Sequence, residues 1–572
     1  MRDNPDRKCL GLAVVLLGAM AIILVAVSSQ DSATVDETTF LGAGYTFWQG
    51  HRYYLVADHP PLDQMLASLP LLAMDIRLSD NAKALLGKQV GYPWTLSWAC
   101  DIEPVASLFP KGRNNWYFWA MPEGQLFGQM FVYDGSNNGD ALMLAARLTQ
   151  VCLTLLLGGF VFWWARKLAG SKAAILALAC YVANPMVLAY GHLIITDVAA
   201  MVTIPIGVFA AGRFVERPDR KTAIGAGAAI GCAFASKYTA LTLGPIIIGL
   251  VVLYQAVQKP KWSHWETLLK NCGWAILVGW LVLLITYIPE WKIPPPINAE
   301  QASRLGVPHW FESLRWVLTP RDFFKGLAIG LAQAHHPRDA FLCGQWKLGG
   351  WWYYFPVALL LKLPIPLLIL AAIALGWLCR QIRSQSFANL TPWMAASIYV
   401  LMGLTSKVDI GVRHMLPVCP LLAVCIATQW PALSKGWRLT AWVLASWLAV
   451  EALFAYPLYI QSFNEFVGGP QNGYEYLIDS NYDWGQDAKR LKVFLQKQGI
   501  DHIYLKYFGT QLNIEYLHIP NTRVDAEQAR QIKQGWLVVS ASELMRPEWA
   551  WLREQRQPFA RVAYTLFVYR MD

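Results

Sequence analysis

The sequence predicts a polytopic α-helical membrane protein that ends in a small α/β domain. Of its 572 residues, 55% are hydrophobic and only 15% are charged, and the mean hydropathy is +0.32. Apolar runs long enough to span a bilayer recur along the chain as far as residue 456. The 27 tryptophans fit this class, because Trp and Tyr favour the membrane–water interface. This composition excludes an ordinary soluble enzyme.

The first apolar segment, 10–28, follows a basic N-terminus and is interpreted as a retained anchor. Its uninterrupted apolar run is long for a cleaved signal peptide and just long enough to span a bilayer. The alternative is cleavage after Ala26-Val27-Ser28, which is a poor small-residue site. We therefore expect this helix to stay in the protein with its N-terminus in the cytoplasm.

Apolar runs predict eleven membrane spans, which alternate with basic loops. The spans are 10–28, 141–164, 173–190, 195–212, 222–236, 238–257, 272–289, 351–378, 390–405, 412–429 and 437–456. The loops that fall on the N-terminal side carry Arg166, Lys167, Lys172, Arg213, Arg217, Arg220, Lys221, Lys259, Lys261, Lys270, Arg380, Arg383, Lys435 and Arg438. Because cytoplasmic loops are enriched in Lys and Arg, this side is predicted to be the cytoplasm.

This topology predicts a transmembrane region, 1–456, with two large outer loops, 29–140 and 290–350, and an outer C-terminal domain, 457–572. The C-terminal domain is predicted to contain an amphipathic helix over 486–498 and strands over 503–508, 536–540 and 562–569. The net charge of +10 is distributed over short loops without a long basic run, so topology explains it better than nucleic-acid binding. Cys100 and Cys343 fall in the outer loops and are either two unrelated thiols or a disulfide.

Several charged residues interrupt the apolar pattern near the predicted outer face. The cations are Arg147, Lys237, Lys362 and Arg413, and the nearby carboxylates are Asp36, Glu37 and Asp197. Charges at membrane depth are rare and face a partner or a cavity. A structural salt bridge explains any one of them, whereas the set together indicates a cationic pocket for a phosphate group beside a carboxylate.

Such a pocket suits glycosyl transfer from a polyprenyl-phosphate sugar. A carboxylate takes the proton of the acceptor hydroxyl as its oxygen attacks the anomeric carbon. Lys and Arg charges then stabilise the departing phosphate without a metal. The lipid tail of the donor would lie against the membrane spans.

The motifs that carry this chemistry resemble those of one family. They are Asp36-Glu37, His59-Pro60-Pro61-Leu62, Thr196-Asp197, Ser236-Lys237-Tyr238, Gly349-Gly350-Trp351-Trp352-Tyr353-Tyr354-Phe355-Pro356, Lys362-Leu363-Pro364, Gly411-Val412-Arg413-His414-Met415-Leu416-Pro417 and Asp479-Ser480-Asn481-Tyr482-Asp483-Trp484-Gly485-Gln486. In this order, the set resembles the GT-C-fold, phospholipid-carrier-dependent glycosyltransferases (glycosyltransferase family 39-like), related to protein O-mannosyltransferases and aminoarabinose transferases. Each motif is weak alone, but together they cover nearly the whole chain.

The resemblance implies an inverting transferase in which Asp36 is catalytic and Glu37 helps to position the base or the acceptor. Asp197 matches a second acidic position, although it is also placed to cap the fourth span. His59 is either an acceptor-site residue or a loop residue fixed by the Pro-Pro turn. His335, with His336, is either a contact for the donor phosphate or a solvated pair. No tight ligand spacing indicates a metal, so no cofactor is expected, and a divalent metal is not favoured.

Two other membrane functions are alternatives to glycosyl transfer from a polyprenyl-phosphate sugar. A transporter or flippase of lipid-linked sugar would also place charges in spans, but the outward bias of the charges and the lack of an internal repeat count against it. A glycan polymerase would be expected to use lipid-diphosphate donors. The sequence leaves open the sugar (hexosyl or pentosyl), the carrier length and the hydroxyl acceptor. The sequon Asn389-Leu390-Thr391 falls on the predicted cytoplasmic side, which favours a bacterial plasma membrane.

Overall fold

The structure is a computed structural model that describes residues 5–50, 53–56, 58–87, 122–289, 320–335 and 337–571. Long apolar helices dominate it. In chain order, the helices before the second large loop are α1 Pro5–Gln30, α2 Glu37–Trp48, α3 Leu62–Ser68, α4 Asp80–Gly87, α5 Pro122–Tyr133, α6 Gly139–Ala169, α7 Ser171–Val182, α8 Pro185–Tyr190, α9 Thr196–Glu216, α10 Arg220–Ser236, α11 Leu243–Gln258 and α12 Trp262–Thr286.

The second half adds further helices and two small sheets. The helices are α13 Arg321–His335, α14 Tyr354–Lys362, α15 Ile365–Gln381, α16 Phe387–Gly403, α17 Val418–Thr428, α18 Lys435–Ala455, α19 Ala488–Gln498, α20 Gln511–Tyr516, α21 Ala526–Arg530, α22 Ala541–Leu544 and α23 Ala550–Gln555. The strands are β1 Asp339–Leu342, β2 Gln345–Leu348, β3 Ile503–Lys506, β4 Asn521–Arg523, β5 Gly535–Ser540, β6 Ala560–Val562 and β7 Leu566–Met571.

The predicted class, a helical multi-pass membrane protein, is confirmed. Among the described residues, seven helices are long and apolar enough to cross a membrane. They are Asp6–Gln30, Gly139–Ala169, Thr196–Glu216, Tyr238–Gln258, Trp262–Thr286, Ile365–Ser384 and Lys435–Ala455. Each of the other predicted spans also contains helix, but in shorter pieces. The count of eleven crossings therefore stays a prediction.

Proline breaks two of the predicted spans. The span over 351–378 is two helices, because Leu363 is extended and Pro364 follows it. The span over 173–190 is also two helices, separated at Asn184, whose side chain accepts a hydrogen bond from the Met186 backbone N–H. Pro185 occupies the first position of α8, where its missing N–H is not needed.

The C-terminal region contains a five-stranded mixed sheet in the order β4-β3-β5-β7-β6. Strand β3 pairs in parallel with β4 and β5, and β7 runs antiparallel to β5 and β6. The predicted helix over 486–498 is present as α19. The single strand predicted over 562–569 is wrong, because Ala563 and Tyr564 have positive φ angles and turn the chain into a hairpin between β6 and β7.

Ion pairs join this C-terminal region to the helical region. Arg490 in α19 contacts the carboxylate of Asp31, just beyond α1, at 2.7 Å. Lys489 contacts Asp140 at the start of α6 at 2.8 Å. Asp31 is buried, and its pKa is lowered: burial raises it, but the nearby Arg490 charge and contacts with His192 outweigh that effect. The C-terminal region is therefore packed against the helix ends that carry the candidate site.

Candidate active site

Five charged or titratable side chains from distant parts of the chain form one cluster, which we call the charged centre: Asp36, Asp197, Lys237, Arg413 and His414. Arg413 Nη1 lies 3.0 Å from Asp36 Oδ2 and 3.6 Å from Asp197 Oδ2. On the other side, Asp197 Oδ1 lies 2.5 Å from Lys237 Nζ and 3.4 Å from His414 Nδ1. One arginine therefore bridges two carboxylates.

The charged centre forms where several helices begin or end. Asp36 immediately precedes α2, and Asp197 lies in the first turn of α9, where the helix dipole favours a carboxylate. Lys237 follows α10 in an extended conformation (φ −159°, ψ 141°) that ends the helix. Arg413 and His414 lie in a short 3-10 helix, Val412–Met415. The predicted topology places all these helix ends on the outer side of the membrane. In the structure their charged side chains are in contact.

Burial distinguishes Asp36 from the rest of the charged centre. The side chains of Asp197, Lys237 and Arg413 are at most 9% exposed, whereas that of Asp36 is 28% exposed. Asp36 also makes no capping hydrogen bond to α2. Asp36 is thus the carboxylate of the charged centre with the most access to a hydrophilic acceptor.

Glu37 occupies a different environment from its neighbour Asp36. It is buried, and its two oxygens accept hydrogen bonds from Arg147 Nε and Nη2, at 2.8 and 2.6 Å. Backbone N–H groups of Thr34 and Ile194 also donate to it. Burial raises the pKa of Glu37, but the Arg147 charge and these hydrogen bonds outweigh that effect, so the pKa is lowered.

Arg147 was predicted to bind phosphate, but in the structure its guanidinium is surrounded by hydrogen-bond acceptors of the protein. Its Nη1 donates to the carbonyls of Ser28 and Asp31, and its Nη2 donates to that of Ser32. With the two bonds to Glu37, all five guanidinium N–H donors are used inside the protein. Arg147 therefore fastens the chain between α1 and α2 to α6 and has no donor left for a phosphate.

Lys362 is likewise engaged away from the charged centre. Its ammonium donates to the carbonyls of Ile460 and Asn481, both at 2.8 Å, and lies 4.3 Å from the ring centre of Phe463. These contacts join the end of α14 to the C-terminal region. The prediction that Lys362 binds phosphate does not fit this arrangement.

The predicted histidines do not contribute a described contact to the charged centre. His59 Nδ1 lies 3.2 Å from Asp58 Oδ1, and the ring packs edge-on against Phe40. His335 ends α13, and its side chain lies outside the described residues, as do His336 and Cys100. The roles of these residues stay predictions.

Asp63 is a buried acid near the charged centre that the sequence analysis did not select. Its Oδ1 accepts a hydrogen bond from Gln150 Nε2 at 3.0 Å, and its Oδ2 has no hydrogen-bond partner among the described residues. Burial raises its pKa to about 7; the Asp197 charge also raises it, while Gln150 and Lys237 lower it. Burial therefore favours the protonated form of Asp63. Its position directly after the His59-Pro60-Pro61-Leu62 motif is the sequence feature that could have indicated a role for Asp63.

Arg338 and Trp484 are two further residues that the sequence analysis did not select. Burial lowers the pKa of Arg338, while the charges of Asp58 and Asp36 act in the opposite direction. The Arg413 charge lowers it further, which places Arg338 within electrostatic reach of the charged centre. The guanidinium of Arg413 lies 4.2 Å from the ring centre of Trp484. Trp484 lies in a motif that carried the family resemblance, so its sequence signal was present.

Among the described side chains, no group of three or more His, Cys, Asp or Glu residues is arranged to hold a metal ion. The carboxylates of the charged centre instead face cations. The independence of metals expected from the sequence stays a prediction.

Part of the chain matches a known family. Residues 138–289 match the family described as dolichyl-phosphate-mannose-protein mannosyltransferase. The match confirms the family resemblance over a stretch that includes Arg147, Asp197 and Lys237. No curated protein matches the chain.

Several solved structures are similar to the chain. ArnT from Cupriavidus metallidurans is 13% identical, with 98% of each chain covered and TM-scores of 0.45 in the apo state and 0.47 bound to undecaprenyl phosphate. The S. cerevisiae protein O-mannosyltransferase Pmt1-Pmt2 complex, bound to the sugar donor, is 16% identical, covering 53% of this chain and 36% of that chain with a TM-score of 0.34.

Proposed function

We propose that the protein is an inverting glycosyltransferase that moves a sugar from a polyprenyl-phosphate donor to a hydroxyl acceptor at the outer membrane surface. One observation carries the proposal: Arg413 contacts the partly exposed Asp36 on one side and the buried Asp197 on the other. A base for the acceptor thus lies beside a cation for the phosphate. The family that matches residues 138–289 is named for a dolichyl-phosphate sugar donor, which supports this donor class.

The reaction forms one bond and breaks one bond at the anomeric carbon. The acceptor oxygen attacks that carbon, and the bond from the carbon to the phosphate oxygen breaks. Asp36 takes the proton of the acceptor hydroxyl, and the electron pair of the broken bond stays on the polyprenyl phosphate. Attack opposite the leaving group inverts the configuration of the sugar.

The charges of the centre match those of this reaction. Lys237 and Arg413 balance Asp36 and Asp197 before transfer. When Asp36 takes a proton, the centre gains one positive charge as the departing phosphate gains one negative charge. Because the cations are buried, they are held in place before the reaction and stabilise the leaving group without much rearrangement.

Asp36, Glu37 and Asp197 have different roles in this proposal. Asp36 is the base because it is accessible and contacts the phosphate-binding cation. Glu37 is a positioning residue, because its pairing with Arg147 fixes the chain that leads to Asp36. Asp197 orients Lys237 and Arg413.

Transfer from defined donors tests the proposal. Purified protein in liposomes is given polyprenyl phosphates that carry a labelled hexose or pentose, with hydroxyl acceptors that include lipid, peptide and glycan. We expect labelled acceptor and free polyprenyl phosphate, and much less of both with Asp36→Asn. If the labelled lipid crosses the bilayer intact and no transfer occurs with any acceptor, the protein is a flippase and the proposal is wrong.

A further inference from the structure

We propose that the C-terminal region completes the active site and that Trp484 is a positioning residue for Arg413. The segment concerned is Asp479–Gln486, which we call the tail motif. The inference rests on the proposed function, since it assigns to the tail motif a role in binding the donor phosphate. In this proposal the C-terminal region is part of the active site and is not a separate accessory domain.

The guanidinium of Arg413, which contacts two carboxylates, also lies over the ring of Trp484. The guanidinium carbon lies 4.2 Å from the ring centre, and Trp484 is only 2% exposed. An indole face attracts a guanidinium, and the attraction is stronger when water is excluded. Asp36, Asp197 and Trp484 together therefore restrict Arg413 to one orientation.

The tail motif also holds the backbone on both sides of the Asp36–Arg413 contact. The carbonyl of Trp484 accepts a hydrogen bond from the Val35 backbone N–H at 3.2 Å, directly before Asp36. On the other side, Asn481 Oδ1 accepts from the Val412 N–H at 2.8 Å, directly before Arg413. The same short motif thus fixes the residue preceding the proposed base and the residue preceding the phosphate-binding cation.

Internal hydrogen bonds give the tail motif a fixed shape. Gln486 Oε1 accepts from the Trp484 N–H at 2.8 Å, and Gln486 Nε2 donates to the Tyr482 carbonyl at 3.0 Å. The Gln486 carbonyl accepts from the Ser32 N–H at 2.9 Å. At Gly411, an added side chain would overlap the hydroxyl of Ser480, so the motif and the 3-10 helix pack closely. The tail motif is therefore held in place beside the charged centre.

Asp479 adds a carboxylate close to Arg413 and Asp36. Its backbone adopts a left-handed conformation (φ 58°), and its Oδ1 accepts from the Ser480 N–H at 2.5 Å. Burial raises the pKa of Asp479 to about 6; the Arg413 charge lowers it, and the Asp36 charge raises it. The tail motif therefore takes part in the electrostatics of the charged centre as well as in its packing.

The test compares Trp484→Leu, Trp484→Phe and the control Trp551→Leu in the full-length protein. The guanidinium of Arg530 lies 5.7 Å from the ring centre of Trp551, so Trp551→Leu removes a longer contact of the same kind elsewhere in the C-terminal region. We expect Trp484→Leu to raise the donor KM and to weaken polyprenyl phosphate binding, each about tenfold, with a smaller change in kcat. Trp484→Phe should restore most of the affinity, and Trp551→Leu should match the parent.

Progressively fluorinated tryptophan at position 484 keeps the shape of the ring and withdraws electron density from its face. This series tests the contact even if Trp484→Leu does not fold. We expect the donor KM to rise with each added fluorine; an unchanged KM across the series would overturn the inference. If the parent transfers no sugar from any donor, the proposed function itself fails. Parental transfer with unaltered KM in every variant refutes only the role of Trp484.

Discussion

Replacing Asp36 with Asn tests the proposed base with little change in shape. The amide oxygen can still accept the hydrogen bond that Arg413 Nη1 donates to Asp36 Oδ2 at 3.0 Å. The amide cannot take a proton, and general-base catalysis contributes about 10²–10⁴-fold to a rate. We therefore expect turnover to fall on the order of a hundredfold or more, equivalent to about 3 kcal/mol or more in the barrier.

Donor binding should respond differently from turnover. The substitution removes one negative charge beside Arg413, so the positive charge that faces the donor phosphate increases. We expect polyprenyl phosphate to bind to Asp36→Asn at least as tightly as to the parent. Arg413→Ala and Lys237→Ala should weaken both binding and turnover, because each removes positive charge near the phosphate.

Single-turnover transfer with saturating donor, together with equilibrium binding of polyprenyl phosphate, separates the two effects. Asp134→Asn is a matched control, because Asp134 is an exposed acid between α5 and α6 whose described hydrogen bond is with the Ser136 N–H. It should retain the parental rate. Near-parental transfer by purified Asp36→Asn would refute the assignment and make Asp197 the leading candidate for the base.

Three further predictions concern stability and topology. Glu37→Gln leaves Arg147 without its buried partner charge, so thermal melting in detergent should show a loss of about 3–5 kcal/mol; an unchanged melting temperature contradicts this. Burial raises the pKa of Asp63 from 3.8 to about 7, so the unfolded state loses this proton more readily than the folded state, and the free energy of unfolding falls as pH rises from about 4 to 7. Asp63→Asn should therefore melt at a higher temperature than the parent at pH 8 but not at pH 4. A C-terminal fusion to a reporter that is active only in the cytoplasm should show no activity. Activity of that fusion would contradict the proposed orientation.

Apolar patterning predicted the helices because the bilayer imposes a simple requirement on length and composition. It did not predict the helix break in the span over 351–378, although Pro364 was its signal. The intramembrane charges were also visible in the sequence, since Lys and Arg stand out in an apolar run. Their partners were not, because each ion pair joins residues from distant parts of the chain.

Arg147 and Arg413 show why sequence alone could not separate structural from functional cations. Both lie at the predicted outer ends of apolar spans, and both contact a member of the Asp36-Glu37 pair. Arg147 uses every donor inside the protein, whereas the Nε of Arg413 has no hydrogen-bond partner in the part of the chain that the structure describes. That difference depends on tertiary hydrogen bonding, which leaves no trace in residue type or spacing.

The backbone N–H groups of Ser32 and Val35 donate two hydrogen bonds to carbonyls of the tail motif, about 450 residues further along the chain. A ribosome makes residue 36 long before it makes residue 484, so the nascent protein inserts its helices while this part of the site is still incomplete. Under the proposed function, the chain cannot consume lipid-linked sugar efficiently until the tail motif has been made and has docked. A product that carries the apolar helices but lacks the tail motif should therefore transfer little or no sugar.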